Sequence, residues 1–115
     1  MTEVDCLFCK IVAGEIPSEP VIETDGVVAF RDINPAAPTH VLVIPKQHVA
    51  SVHELTTEHG SILGEMVDVI GRVAEAEGVA DGYRVVTNVG AKAGQSVFHL
   101  HWHVIGGRPL SWPPG

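Results

Sequence analysis

Apolar positions along this chain follow two periodicities. Between residues 62 and 74 they recur at three and four: Ile62, Met66, Val69 and Val73 form one set, and Leu63, Val67, Ile70 and Ala74 a second. This spacing predicts an amphipathic helix over residues 57–77, with Thr56 or Thr57 as cap and Gly78 as stop. A shorter helical pattern opens the chain. Leu7 with Ile11 and Phe8 with Val12 pair at i, i+4, which predicts a helix over 6–13, capped by Asp5 and ended by Gly14.

Elsewhere the pattern is that of strands. Residues 21–23 and 27–31 are short β-rich runs separated by Asp25-Gly26, a strong hairpin signal. Residues 34–39 hold two prolines and are loop. Residues 40–45 (HVLVIP) form an apolar run rich in branched side chains, expected of a central strand buried on both sides. Residues 83–88 and 96–105 read as two further strands, with a glycine-bearing loop over 90–95 between them. The Pro-rich end, 112–115, excludes regular structure. The expected fold class is α+β: an antiparallel sheet of about five strands, one long helix and one short N-terminal helix. A single domain over 1–115 is expected, with no repeat, linker or low-complexity tract.

Composition narrows the function classes. Hydrophobic residues make up 45% of the 115, enough for a packed core. Lys and Arg number 7 against 14 Asp and Glu, a formal net charge of -7. That balance argues against nucleic acid as a partner, because a phosphate backbone needs a basic footprint. A single nucleotide stays possible, since backbone N–H groups hold a phosphate without surplus cations. No apolar run approaches the roughly 20 residues of a membrane-spanning helix, and no secretory signal is visible. No membrane partner is therefore expected, and a cytoplasmic location is.

The chemistry concentrates in His99-Leu100-His101-Trp102-His103-Val104-Ile105. Strict alternation on a strand places three imidazoles on one face and Leu100, Trp102 and Val104 on the other. The competing reading is a half-buried strand whose polar face happens to be histidine. A neutral imidazole is a good nucleophile near pH 7 when one nitrogen is free and the other is held by an acceptor. The preceding Gly94-Gln95-Ser96-Val97 turn can aim backbone N–H groups at phosphoryl oxygens, and Gly94 permits a close backbone approach. Asp32, at a strand end, reads by itself as a solvated or turn-capping carboxylate. The only cysteines, Cys6-x-x-Cys9, suit a tetrahedral zinc if two more ligands arrive from elsewhere. Redox chemistry and inert thiols are the rival readings. His53 and His59 read as solvated or helix-start residues.

These motifs together resemble the histidine-triad family, whose signature is H-φ-H-φ-H-φ-φ with φ apolar. Cys6-Leu-Phe-Cys-Lys-Ile, Asp32-Ile-Asn-Pro-Ala-Ala-Pro-Thr-His40, Val43-Ile-Pro-Lys, Gly94-Gln-Ser-Val97, Gly106-Gly-Arg and Trp112-Pro-Pro-Gly resemble its Hint branch, the histidine-triad nucleotide-binding proteins. The resemblance covers nearly the whole chain and implies a HIT-like fold. It implies hydrolysis of purine nucleoside 5′-phosphoramidates through a covalent nucleotidyl-histidine intermediate. By the same resemblance His101 is the nucleophile, His103 and His40 lie beside the phosphate, and Ser96 is near the leaving group. Asp32 would bind the ribose hydroxyls, and Asn88 would hydrogen-bond near the phosphate together with the turn residues Gly94 to Val97. Phe8, Ile11, Ile16, Phe30 and Ile33 match positions of an apolar purine slot, although each alone also reads as plain core. Family members with the cysteine pair bind zinc through two Cys and two His, and His48 and His99 match those positions. The implied zinc is structural and takes no part in the chemistry.

Two other functions are kept open. One is a nucleotide-binding regulatory or scaffold protein with incidental hydrolysis; the other is a dinucleoside polyphosphate hydrolase. The terminal Trp-Pro-Pro-Gly resembles the Hint branch rather than the latter. The resemblance also implies a homodimer, in which the helix and an edge strand pair across a two-fold axis.

Overall fold

A computed structural model describes residues 6–115. Chain order is α1 (Leu7–Val12), β1 (Pro20–Glu23), β2 (Val27–Arg31), β3 (Thr39–Pro45), α2 (Gly60–Ala76), β4 (Tyr83–Val86) and β5 (Trp102–Gly106). One-turn 3₁₀ helices stand at Val52–Glu54, Thr57–His59 and Ala91–Ala93. The five strands form one sheet in the order β1-β2-β3-β5-β4, antiparallel at every pairing. The expected α+β architecture is therefore present.

β3 lies at the centre, and all seven of its residues are buried. Its alternate side chains feed two cores, which is why its sequence is an unbroken apolar run. Val41 and Val43 join Val27, Ala29, Leu100 and Val104 beneath α2, against Met66, Val69, Ile70 and Val73. Leu42 and Ile44 join Val28 and Phe30 on the opposite face, where Phe8 of α1 covers them.

Several local expectations shift. Asp5 lies outside the described residues, and the N-cap of α1 is Cys6, whose Sγ accepts from the Cys9 N–H. The first turn expected of the long helix is a separate 3₁₀ turn. Thr56 caps it, and His59 closes the capping box by accepting the Thr56 N–H at Nδ1. Gly78 ends α2 at φ +73°. Val67, assigned to the apolar face, is 60% exposed.

The last strand is shorter than expected, with ladder pairing only over Trp102–Gly106. Upstream of it, β3 has already ended at Pro45, so residues 96–101 meet no continuous partner. Leu100 makes one backbone bond, from its N–H to the Val49 carbonyl. The side-chain alternation nevertheless holds: Leu100 and Val104 are buried beneath α2 with Trp102 packed against them, and the histidines face the Phe8 side.

The β1–β2 connection carries a glycine whose missing side chain matters for packing. Glu65 of α2 accepts hydrogen bonds from Thr24 Oγ1 and from the Gly26 N–H. A Cβ on Gly26 would stand 2.8 Å from Glu65 Oε1 and 2.9 Å from Ile62 Cδ1. Among the described residues no helix is long and apolar enough to cross a membrane.

Candidate active site and metal centre

His40 on β3 and His103 on β5 share the sheet face opposite α2. Their partners in register are Ile105 and Leu42, so the two histidines are diagonal neighbours, close enough for their rings to meet. His40 Nε2 lies 2.9 Å from His103 Nδ1, and His101 packs edge-on against His103 with centroids 5.0 Å apart.

The hydrogen-bond partners assign the proton on each ring. The Ala36 N–H can only donate, and it reaches His40 Nδ1 at 2.9 Å. His40 therefore carries its proton on Nε2 and gives it to His103 Nδ1, with Asp32 Oδ2 a longer 3.4 Å away. His103 Nδ1 accepts, which leaves its proton on Nε2. His101 Nδ1 lies 2.8 Å from the His99 carbonyl. A carbonyl only accepts, so that nitrogen holds the proton and Nε2 keeps an available lone pair. Burial holds His103 down to about 4, with the neighbouring His101 and His40 adding to the shift and Asp32 opposing it.

His101, His103 and Asp32 open onto a cleft of about 380 Å³, inside the usual range for a small-molecule site. Its lining brings together the expected Phe8, Ile11, Ile16, Phe30, Asp32, Ile33, Ser96, Val97, His101 and His103. Ile33 stands 92% exposed at this cleft. Leu7, Pro17, Ser18, Glu19, Arg31, Asn34 and Leu42 also line it. Pro17, Ser18, Glu19 and Arg31 come from the exit of α1 and the end of β2, where no motif in the sequence marks them, whereas Leu7 opens α1 and Leu42 sits on β3.

Asn88, Gly94, Gln95 and His40 do not line this cleft. Gln95 is buried and spent on the backbone: Oε1 accepts from the Gly90 N–H, and Nε2 donates to Ala50 O and Val97 O. The N–H groups of Gly94 and Gln95 bond to Ala91 O and Gly90 O within their own turn. Gln95 thus pins the loop that presents Ser96 and Val97. Gly94 sits at φ +101°, a conformation that favours glycine.

Behind the cleft the four expected metal ligands converge. The side-chain donor atoms of Cys6, Cys9, His48 and His99 lie within 4.8 Å of one another. Cys6 Sγ and Cys9 Sγ stand 3.3 and 3.4 Å from His99 Nδ1, and Cys9 Sγ 3.3 Å from His48 Nδ1. A tetrahedral zinc with ordinary bond lengths separates sulfur from nitrogen by about 3.6 Å, so only a small expansion is needed. His99 Nε2 donates to Pro45 O at 2.8 Å, which turns the lone pair of Nδ1 toward the thiols. Donor set and orientation fit zinc.

Asp32, His40 and His103 also converge, but they form a hydrogen-bond chain. A metal on His40 Nε2 would push that ring's proton onto Nδ1, against the Ala36 N–H.

Comparison with known proteins identifies the relatives of this chain. The family model described as HIT domain matches residues 13–110. The chain is 48% identical over 107 residues to the purine nucleoside phosphoramidase of Escherichia coli, spanning 92% of this chain and 90% of that protein. It is 50% identical over 111 residues to an uncharacterized HIT-like protein of Synechococcus elongatus, spanning 96% and 97%. Among solved structures, a HIT family hydrolase from Legionella pneumophila superposes with a TM-score of 0.93 at 47% identity, covering 96% of this chain and 99% of that one. A HIT family hydrolase from Clostridium thermocellum gives 0.92 at 48%, covering 96% of both.

Proposed function

The chain belongs to the histidine-triad family and is a hydrolase of it, and from that premise we propose that it cleaves purine nucleoside 5′-phosphoramidates through a nucleotidyl-His101 intermediate. The observation that carries this reading is the lone pair left on His101 Nε2 by the bond from Nδ1 to the His99 carbonyl. The purine lies between Phe8, Ile11, Ile16, Phe30 and Ile33, and Asp32 accepts from the ribose hydroxyls. His101 Nε2 attacks phosphorus in line, the P–N bond breaks, and the electron pair leaves on the departing nitrogen. The Ser96 hydroxyl passes its proton to that nitrogen, so that a neutral amine departs, and takes one back from the water that enters in the second step. The His103 Nε2–H donates to a phosphoryl oxygen, supported from behind by His40. Asn88, Gly94, Gln95 and Val97 hold the phosphate loop in shape. Water then attacks the same phosphorus, displaces His101 Nε2 and gives the nucleoside monophosphate. Splitting one displacement into two lets a single nucleophile expel a poor leaving group.

Cys6, Cys9, His48 and His99 would hold zinc, which supplies a structural cross-link between α1 and the sheet. The working assembly in this reading is a cytoplasmic homodimer of a single domain over 1–115. Val67 on α2 and Val85 on the edge strand β4 are exposed apolar residues suited to a two-fold contact, and Trp112 extends toward the partner's site. Light scattering at micromolar concentration reads twice the chain mass; a monomer refutes this part. Steady-state turnover of an adenosine 5′-phosphoramidate tests the reaction. Release of adenosine monophosphate and free amine supports it. Binding without turnover returns the scaffold reading, and preference for a dinucleoside polyphosphate returns the sister activity.

A further inference from the structure

Arg108 stands outside the cleft, on the segment that follows β5. Its guanidinium bonds twice to one carbonyl, that of Ala36, from Nε at 3.2 Å and from Nη2 at 3.0 Å. Nη1 donates to Pro109 O, which fixes the fork. Ala36 is also the residue whose N–H sets the proton position on His40. Its two neighbours in the loop are Pro35 and Ala37, neither of which offers a side chain that could hydrogen-bond the Ala36 carbonyl. Gly107 presses on the same loop: its φ is +92°, and a Cβ there would lie 2.9 Å from Pro38 Cβ.

We propose that Arg108 is a positioning residue which, by clamping the Ala36 carbonyl, holds the Ala36 N–H on His40 Nδ1 and so keeps the His103 Nε2–H directed at the phosphate. The chain of dependence runs Arg108 to Ala36 O, Ala36 N–H to His40 Nδ1, His40 Nε2–H to His103 Nδ1. Without the clamp, Ala36 is free to rotate, and His40 can place its proton on either nitrogen. His103 then loses the donor on Nδ1 and its own proton becomes free to move there. The inference rests on the proposed role of His103 in turnover, but its first half, the hold on His40, does not.

The test uses Arg108→Met and Arg108→Lys in the full chain, with long-range ¹H–¹⁵N spectra of the imidazoles alongside kinetics. Wild type should show unprotonated Nδ1 and protonated Nε2 on both His40 and His103. Arg108→Met should give averaged nitrogen shifts on His40 and about tenfold lower kcat with KM unchanged within about twofold, the mark of a misplaced catalytic group. Arg108→Lys, which keeps a donor for the carbonyl, should recover most of both. Unchanged ring shifts in Arg108→Met overturn the proposal whatever kcat does. Shifted rings with unchanged kcat overturn the positioning role. If wild type turns over no phosphoramidate, the proposed function fails, while the spectra still decide whether Arg108 governs His40.

Discussion

Cys9→Ser is expected to release the metal, lower the melting temperature by roughly 12–20 °C and leave turnover measurable. Cys9 Sγ is the ligand atom that contacts both histidines of the metal centre, so its loss opens the set on two sides. Helix α1 has six residues, far below the roughly 12–15 an isolated helix needs in water. It is held by docking, through the Cys6, Cys9, His48 and His99 cluster and through Phe8, its one buried residue. Phe8 packs edge-on against Phe30, His99 and His101 with centroids 5.6, 6.0 and 5.0 Å away. If α1 undocks, the loss is comparable to truncating a buried phenylalanine, about 3–5 kcal/mol. At about 4 °C per kcal/mol for a domain of this size, that gives the range above. Turnover persists in part because His40 and His103 stay on β3 and β5, while KM rises as the Phe8 wall loosens. The assay is metal content by elemental analysis, followed by thermal melts and kinetics on the same samples. A Cys9→Ser protein that keeps one zinc per chain, or loses it while melting within about 2 °C of the parent, refutes the reasoning.

Two further outcomes follow from local geometry. His103 is held at about 4 against a reference of 6.5, so between those values the unfolded chain binds the proton and the folded one does not. Stability is therefore lost as pH falls from 6.5 toward 4. Urea unfolding at pH 7 and pH 5 should show a smaller drop in His103→Asn than in wild type, and equal drops would count against it. Gly26→Ala should destabilise by about 0.5–1.5 kcal/mol, since the added Cβ displaces the Glu65 carboxylate that accepts from Thr24 Oγ1 and the Gly26 N–H; an unchanged urea midpoint contradicts this.

Much of this architecture is legible in the sequence because periodicity reports which way side chains face. The boundaries of β2 and the central position of β3 follow from branched apolar runs bounded by turn residues. Alternation also put the three histidines on one face, but it does not report backbone pairing, and residues 96–101 alternate without a ladder. The cluster of Cys6, Cys9, His48 and His99 is accessible through a Cys-x-x-Cys pair and two histidines matched by resemblance. Cleft residues such as Pro17, Ser18 and Glu19 were not, because they meet Asp32 and His101 only once α1 folds over the sheet. Gln95 illustrates the opposite limit: a polar residue in the turn before Ser96 whose side chain is consumed by Gly90, Ala50 and Val97. Arg108 belongs with these, since its partner Ala36 lies 72 residues away.

The central claim is that His101 Nε2 forms the bond to phosphorus, and acid-quenched mass spectrometry during turnover of an adenosine phosphoramidate addresses it directly. A nucleotidyl adduct is predicted on a peptide spanning residues 96–108 in wild type, and still trapped in a slowed His103→Ala protein. His101→Ala and His101→Asn should show no adduct, with turnover reduced by about 10³-fold or more and nucleotide binding retained. An adduct at full level in His101→Ala, or one that maps to His40 or Ser96, would contradict the assignment.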